Sequence, residues 1–91
     1  MIKSFKHKGL KLFFETGSTR GIRSEHARKI NGVLSVIHRA RALDELLFLY
    51  QFHELKGDKK GFYAMTVSKN YRITFKFIDG NAYILDYEDY H

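Results

Sequence analysis

Apolar positions in the first half of the chain recur at helical spacing. They predict one helix over residues 8–17, which ends at Gly17, a typical C-cap residue. A longer helix is predicted to begin at Ser24, whose hydroxyl would cap it, and to run to about residue 41. Its core-facing positions recur about every 3.6 residues. These positions are Ala27, Ile30, Val33 or Leu34, Ile37 and Ala40.

Two further segments of the first half are short and apolar. Residues 1–5 are predicted to form an opening strand, and residues 42–50 a short additional helix with Asp44 near its start. The outer face of the long helix is basic. It carries His26, Arg28, Lys29, His38, Arg39 and Arg41.

In the second half the pattern changes to the alternation typical of strands. A short strand is predicted within residues 50–61, before a loop rich in Lys and Gly. Longer strands are predicted over 62–67, 71–77 and 82–90. The DGN stretch at 79–81 is a strong hairpin signal between the last two strands.

The hairpin suggests a register in which Ile78 lies opposite Ala82, because apolar side chains then pair with apolar ones and a cation meets an anion. The predicted pairs are Phe77–Tyr83, Phe75–Leu85, Thr74–Asp86, Ile73–Tyr87 and Arg72–Glu88. The expected fold is α+β, with two or three N-terminal helices packed on an antiparallel β-sheet in a single domain over 1–91.

Composition narrows the function classes. Of the 91 residues 44% are hydrophobic, which is enough for a modest core. Cysteine is absent, which excludes disulfides and thiol chemistry. No signal-peptide pattern or long apolar run occurs, so a cytoplasmic location without membrane contact is expected. Sixteen Lys and Arg against ten Asp and Glu give a net charge of +6, which favours an anionic partner.

Polar and titratable side chains gather on the outer face of the predicted sheet and in its loops. They are His53, Lys56, Arg72, Lys76, Asp86, Glu88, Asp89, Tyr90 and His91. Cleavage of RNA by its own 2′-hydroxyl needs a base, cations where the phosphate gains charge, and an acid at the leaving 5′-oxygen. Lys and Arg can supply the positive charge without a metal, and His is the natural base or acid near neutral pH.

Each of these residues also has a purely structural explanation. Arg72 and Glu88 would form a cross-strand ion pair in any case, and the loop after Lys56 would be a solvated turn. No histidine spacing resembles a metal site, and no cofactor fingerprint occurs. On the residues alone, both a catalytic site and a plain basic surface remain open.

Three stretches of the chain resemble the HigB toxins of the RelE/ParE superfamily. They are MIKSFKHKGL at the start, FHELKGDKKGFYAMTVSKNYRITFKF in the middle and DYEDYH at the end. The resemblance covers essentially the whole chain and is weakest over 18–50. It implies a RelE-like fold and a toxin that cleaves mRNA in the ribosomal A site, without metal or other cofactor. It also implies a HigA-type antitoxin with a helix-turn-helix, which would connect the toxin indirectly to operator DNA.

The resemblance also implies roles for individual residues. His53 would be a base or an orienting group, Lys56 would contact phosphate, and Arg72 would stabilise transition-state charge. Asp89 would act as the base or polarise it, and Tyr90 would position the nucleotide. His91 would complete this catalytic set. Further contacts to RNA are expected from Lys59, Lys60, Lys69, Lys76, Arg28 and Lys29.

The chain departs from the family pattern at two positions. Glu54 replaces a common proline, and Tyr71 replaces a frequent tryptophan. Neither change removes a proposed catalytic group. Two other functions remain open at this stage: a non-enzymatic gyrase poison of the ParE kind, and a basic RNA- or protein-binding module.

Overall fold

Two helices cover one face of a four-stranded antiparallel sheet, as predicted. The computed structural model describes residues 1–90. The helices are α1 (Lys8–Thr16) and α2 (Ala27–Arg39). The strands are β1 (His53–Glu54), β2 (Tyr63–Thr66), β3 (Tyr71–Ile78) and β4 (Asn81–Asp89), and they lie side by side in chain order. No helix within residues 1–90 is long and apolar enough to cross a membrane.

The core lies between α2 and the inner face of the sheet. From α2 it takes Ile30, Val33, Leu34 and Ile37, and from the strands Met65, Ile73, Phe75 and Leu85. The predicted helical period and strand alternation are thus confirmed for these elements. α1 buries only Leu10 and ends as expected at Gly17, which adopts φ 81° and donates its N–H to the Phe13 carbonyl at 2.8 Å.

The predicted start of the long helix is wrong. Residues Ser24–His26 form a 3₁₀ turn, and α2 begins only at Ala27. Ser24 lies inside that turn, so its hydroxyl does not cap α2. The residue before the turn is Arg23, which has an extended conformation. His26 is consequently half-buried at the junction with the sheet, although the pattern placed it on the solvent face.

The opening segment pairs with β4 but is not a continuous strand. It forms two isolated parallel bridges, Ile2 with Ala82 and Phe5 with Leu85. Between these bridges the Ile84 N–H donates to the Ser4 hydroxyl at 2.8 Å instead of to a backbone carbonyl. The side-chain bond interrupts the ladder, which explains why the predicted strand is only partly formed.

The helix predicted over 42–50 is absent. Only Leu43–Glu45 form a 3₁₀ turn, and turns follow it. Phe48, Tyr50 and Gln51 have φ values of 71°, 49° and 55°, in the left-handed region that a right-handed helix excludes. In this segment Leu46 alone is fully buried, and Phe48 is 96% exposed. The apolar composition of residues 42–50 therefore does not reflect a buried helix.

The predicted hairpin register is correct far from the turn and off by one beside it. Arg72, Ile73 and Thr74 lie opposite Glu88, Tyr87 and Asp86, as expected. Nearer the turn, however, Ile78 lies opposite Asn81 instead of Ala82. β4 contains one extra residue at a bulge, where Ile84 has φ 58°. The turn is also shorter than predicted, with Asp79 and Gly80 both at positive φ.

Candidate active site

The register brings polar side chains into two adjacent rows on the outer face of the sheet. Cα partners in an antiparallel sheet share a face. One row runs across all four strands, and the next runs across β2, β3 and β4. The first row is His53, Ala64, Thr74 and Asp86, and the second is Thr66, Arg72 and Glu88.

Arg72 lies at the centre of this face and is held on two sides. Its Nε lies 3.5 Å from Oε1 of Glu88, and its guanidinium carbon lies 4.6 Å from the centre of the Tyr90 ring. The Arg72 side chain is 17% exposed. The guanidinium is therefore fixed by an ion pair along one edge and by a cation–π contact on one plane.

The β1–β2 connection folds over the same face. Its 3₁₀ turn, Gly57–Lys59, brings the Lys59 ammonium to 3.8 Å from Oε1 of Glu88. The ring of Phe62 lies below two ammonium groups, Lys59 at 5.7 Å and Lys76 at 5.2 Å. Three cations, Lys59, Arg72 and Lys76, thus belong to one surface, together with the carboxylate of Glu88. We call this set of four residues the outer cluster.

Two more lysines belong to this connection. Lys56 precedes the 3₁₀ turn in an extended conformation, and both Lys56 and Lys60 are exposed. Neither is needed for packing, so both side chains are accessible to an anionic ligand. The predicted RNA-contacting residues Lys59, Lys60 and Lys76 are thus on the same side of the molecule as Arg72.

Three buried polar atoms on this face make no hydrogen bond within the described residues. They are Arg72 Nε, Glu88 Oε1 and Thr74 Oγ1. Thr74 is 1% exposed although strand alternation places it on the outer face. Unsatisfied buried polar atoms are uncommon in native proteins and concentrate at binding and catalytic sites.

His53 lies at the edge of the outer face, in the row of Thr74 and two strands away from it. The backbones of these strands are about 10 Å apart. His53 is exposed, and its Nδ1 lies 2.9 Å from the carbonyl oxygen of Gln51. Because a carbonyl only accepts, Nδ1 carries a proton in this contact, and in the neutral tautomer of this kind Nε2 is the unprotonated nitrogen.

Asp89 does not lie on the face of Arg72. It is paired with Tyr71, so it belongs to the opposite face, and the expected convergence of Asp89 with Arg72 is wrong. Alternation along β4 places Glu88, and not Asp89, beside Arg72. Asp89 instead lines a cavity of about 300 Å³ at the end of the β3–β4 pair. Its other lining residues are Arg23, Glu25, His26, Ser68, Lys69, Asn70 and Tyr71.

The groups around this cavity interact with one another. A hydrogen bond from Arg23 lowers the pKa of the Glu25 carboxyl, and the same bond raises the pKa of Arg23. Deeper in the protein, His26 Nδ1 lies 2.6 Å from the hydroxyl of Tyr87. Burial raises the pKa of that tyrosine. The cavity thus combines acidic and basic groups, and Lys69 is at its rim, away from the other predicted RNA contacts.

The basic face of α2 lies on the far side of the molecule from the outer cluster. Arg28 and Lys29 are exposed, and the Lys29 ammonium lies 5.6 Å from the Tyr50 ring centre. The predicted RNA contacts are therefore divided among three places: the outer face, the cavity beside Asp89 and the exposed side of α2. His91 is outside the described residues. Among residues 1–90, no three His, Asp or Glu side chains are grouped as metal ligands.

Sequence reasoning missed part of the site. The contribution of Phe62 as a platform for two lysines had no signal in the sequence. The burial of Thr74 was also unexpected, because strand alternation places it on the outer face. The orientation of Asp89, in contrast, could have been predicted from strand alternation. The register that pairs Arg72 with Glu88 also pairs Tyr71 with Asp89, which places Asp89 on the face opposite to Arg72.

Comparison with known proteins identifies the family. The family model for HigB-like toxins, described as the RelE-like toxin of the type II toxin-antitoxin system HigB, matches residues 3–91. The chain belongs to the HigB-like toxins. A relative from Proteus vulgaris, named Endoribonuclease HigB, is 54% identical over 92 aligned residues and covers both chains completely. These two matches confirm the resemblance to HigB toxins that the three stretches of sequence indicated.

Solved structures of related toxins share its fold. The YoeB–YefM complex from Staphylococcus aureus matches with a TM-score of 0.66 at 22% identity, covering 100% of this chain and 95% of that one. The YoeB/ParE toxin from Agrobacterium tumefaciens matches with a TM-score of 0.67 at 13% identity, covering both chains completely. The predicted RelE-like architecture is confirmed by these likenesses.

Proposed function

We propose that this HigB-like toxin is a ribosome-dependent endoribonuclease, which cleaves mRNA in the A site and so inhibits translation. The observation that carries the proposal is the outer cluster, with Arg72 fixed between Glu88 and Tyr90. Membership of a type II toxin family supports the toxic function, and the name of the Proteus relative supports RNA cleavage.

The proposed reaction is attack of a ribose 2′-oxygen on the adjacent phosphorus. A bond forms between the 2′-oxygen and phosphorus, the bond from phosphorus to the 5′-oxygen breaks, and a cyclic phosphate results. The 2′-hydroxyl proton passes to a base, and the leaving 5′-oxygen receives a proton. Arg72 would stabilise the negative charge that develops on the phosphate oxygens, because its terminal N–H groups face away from Glu88.

The remaining roles follow from position. His53 is the proposed base, because the contact of Nδ1 with Gln51 leaves Nε2 to accept a proton and His53 shares the outer face with Arg72. Lys56 would contact the phosphate backbone from the connection above the sheet. Tyr90, whose ring contacts the guanidinium of Arg72, would stack on a nucleotide.

Asp89 has a less direct place in this scheme. Its side chain belongs to the face of Tyr71 and not to that of Arg72. We therefore assign Asp89 a polarising role at the end of β4, and we assign the role of base to His53. His91 follows Tyr90 in the chain and is proposed to complete the site. Lys69 would contact RNA at the cavity beside Asp89.

The proposed partners are the ribosome, mRNA and a HigA-type antitoxin with a helix-turn-helix, in the cytoplasm. Operator DNA would be reached only through that antitoxin. YoeB of Staphylococcus aureus, which shares the fold, is found in complex with YefM. The antitoxin is proposed to bind apolar and basic surface away from the outer cluster, for example around Phe14 of α1, which is partly exposed.

The proposal predicts cleavage that depends on ribosomes. Purified toxin would be mixed with a 5′-labelled mRNA, with and without ribosomes carrying a chosen codon in the A site. A discrete cut at that codon should appear only with ribosomes. Absence of a cut in both reactions contradicts the proposal, and a supercoiling assay with DNA gyrase would then test the ParE-like alternative.

A further inference from the structure

We infer that Glu88 is a positioning residue for the cleavage reaction, which orients Arg72 and fixes the β1–β2 connection through Lys59. The inference rests on the proposed function and extends it to a carboxylate that contacts neither nucleophile nor leaving group. One oxygen of Glu88 serves both cations, at 3.5 Å from Arg72 Nε and 3.8 Å from Lys59 Nζ.

Glu88 lies beside the Nε edge of the Arg72 guanidinium. Arginine has five N–H donors, one on Nε and four on the terminal nitrogens. Glu88 faces the Nε edge, and Tyr90 covers one plane of the group. Because the Nε edge includes one terminal N–H, the terminal donors on the other edges remain available to a phosphate in a fixed orientation. A carboxylate placed at the terminal nitrogens would compete with the phosphate for the same donors.

Glu88 also joins separate parts of the fold. Arg72 belongs to β3 and Glu88 to β4, whereas Lys59 belongs to the connection that carries Lys56. The same oxygen therefore links the centre of the sheet to the segment proposed to contact the phosphate backbone. Loss of the carboxylate frees both parts at once.

The negative charge of Glu88 is compensated by its neighbours. Glu88 Oε1 is buried and makes no hydrogen bond within the described residues. A negative charge at a surface that binds RNA weakens binding unless it also orients the groups that contact the RNA. A carboxylate oxygen removed from water needs an opposite charge beside it. Two cations flank this one, so the group of three keeps a net positive charge while its geometry is fixed.

The kinetic test compares Glu88→Gln with the wild type in single-turnover cleavage on programmed ribosomes. Misplacement of a catalytic group by about 1 Å costs on the order of 100-fold in rate, so a fall of about 10- to 100-fold is expected. The variant removes one negative charge from the surface, which should not weaken binding to ribosomal RNA. The toxin concentration that half-saturates the ribosomes should therefore change by less than about threefold. The charge-matched control is Glu15→Gln, an exposed position on α1.

A double-mutant cycle separates positioning from general stability. If Glu88 acts mainly through Arg72, then Glu88→Gln in an Arg72→Ala background should cause a clearly smaller loss of rate than in the wild type, limited to the part that acts through Lys59. Additive losses, or an equal or faster rate for Glu88→Gln alone, overturn the inference. A rate loss matched by a lower denaturation midpoint overturns it as well, since that result indicates a structural role only.

A second measurement does not depend on cleavage. The Nε–H resonance of Arg72 should be resolved and slow to exchange with water in the free wild-type toxin, and averaged in Glu88→Gln. If the wild type fails to cut mRNA while this contrast is observed, the proposed function fails and the positioning of Arg72 by Glu88 stands. Identical Arg72 resonances in both proteins contradict the positioning itself.

Discussion

Tyr87 shows how single residues connect the two layers of this toxin. Its side chain is 7% exposed, and its hydroxyl lies 2.6 Å from His26 Nδ1, just before α2. Its ring also contacts Tyr71, with centres 5.1 Å apart. Strand alternation placed Tyr87 on the inner face correctly. It did not predict the contact between the Tyr87 hydroxyl and His26, because the helical pattern placed His26 on the solvent face of the long helix.

The burial of Tyr87 predicts a change in stability at alkaline pH. Burial raises the phenol pKa above its ordinary value of 10.0, so the folded protein keeps a proton that the unfolded chain releases. This contribution is complete below about pH 10 and is lost as the pH rises through the folded pKa. In Tyr87→Phe, the free energy of unfolding should therefore fall less steeply above pH 10.

Urea denaturation at a series of pH values between 8 and about 11 measures this slope. The control is Tyr83→Phe, at a half-buried hairpin position opposite Lys76, which should keep the wild-type slope. Equal slopes for Tyr87→Phe and the wild type would show that the phenol contributes nothing to alkaline destabilisation.

At the scale of elements, α1, α2 and the β3–β4 pair were predictable because their apolar positions repeat with a clear period. The segment over 42–50 was not. It is as apolar as a buried helix, yet its backbone enters the left-handed region at Phe48 and Tyr50. Only tertiary packing decides which of its side chains becomes buried.

This segment supplies a stability prediction. Leu46 is fully buried, whereas Phe48 is 96% exposed. Leu46→Ala should lower the free energy of unfolding by about 2–4 kcal/mol, because it leaves a cavity in the core. Phe48→Ala should change it by less than about 0.5 kcal/mol. Chemical denaturation of both variants provides the comparison, and a large loss in Phe48→Ala would place that ring in the core instead.

The β-bulge near Ile84 illustrates a second limit of sequence reasoning. Alternation predicted the pairs from Arg72 to Thr74 correctly, but an extra residue in β4 shifted every pair nearer the turn. A β-branched residue at positive φ is uncommon, and no local pattern announces it. Arg72 and Glu88 were predictable as neighbours because they lie on the side of the bulge where the register is regular, whereas Lys76 lies beyond it.

At the scale of the whole molecule, positive charge occupies two surfaces on opposite sides of the fold. The outer cluster covers the open face of the sheet, and the exposed side chains of α2 cover the other side. Electrostatic attraction to RNA acts through both surfaces and weakens with salt. Catalysis, in contrast, requires oriented donors, and of these two surfaces the outer cluster holds Arg72 fixed by an ion pair and a ring contact.

The most direct test of this account therefore compares the two surfaces in single-turnover cleavage on programmed ribosomes. Arg72→Ala should lower the rate at saturating toxin by about 100- to 1,000-fold, the typical cost of removing one group that stabilises transition-state charge. The double variant Arg28→Gln with Lys29→Gln should keep the maximal rate and require more toxin to reach it. Cleavage by Arg72→Ala at the wild-type rate, with loss of activity in the α2 variant, would contradict the assignment of the outer face as the site of reaction.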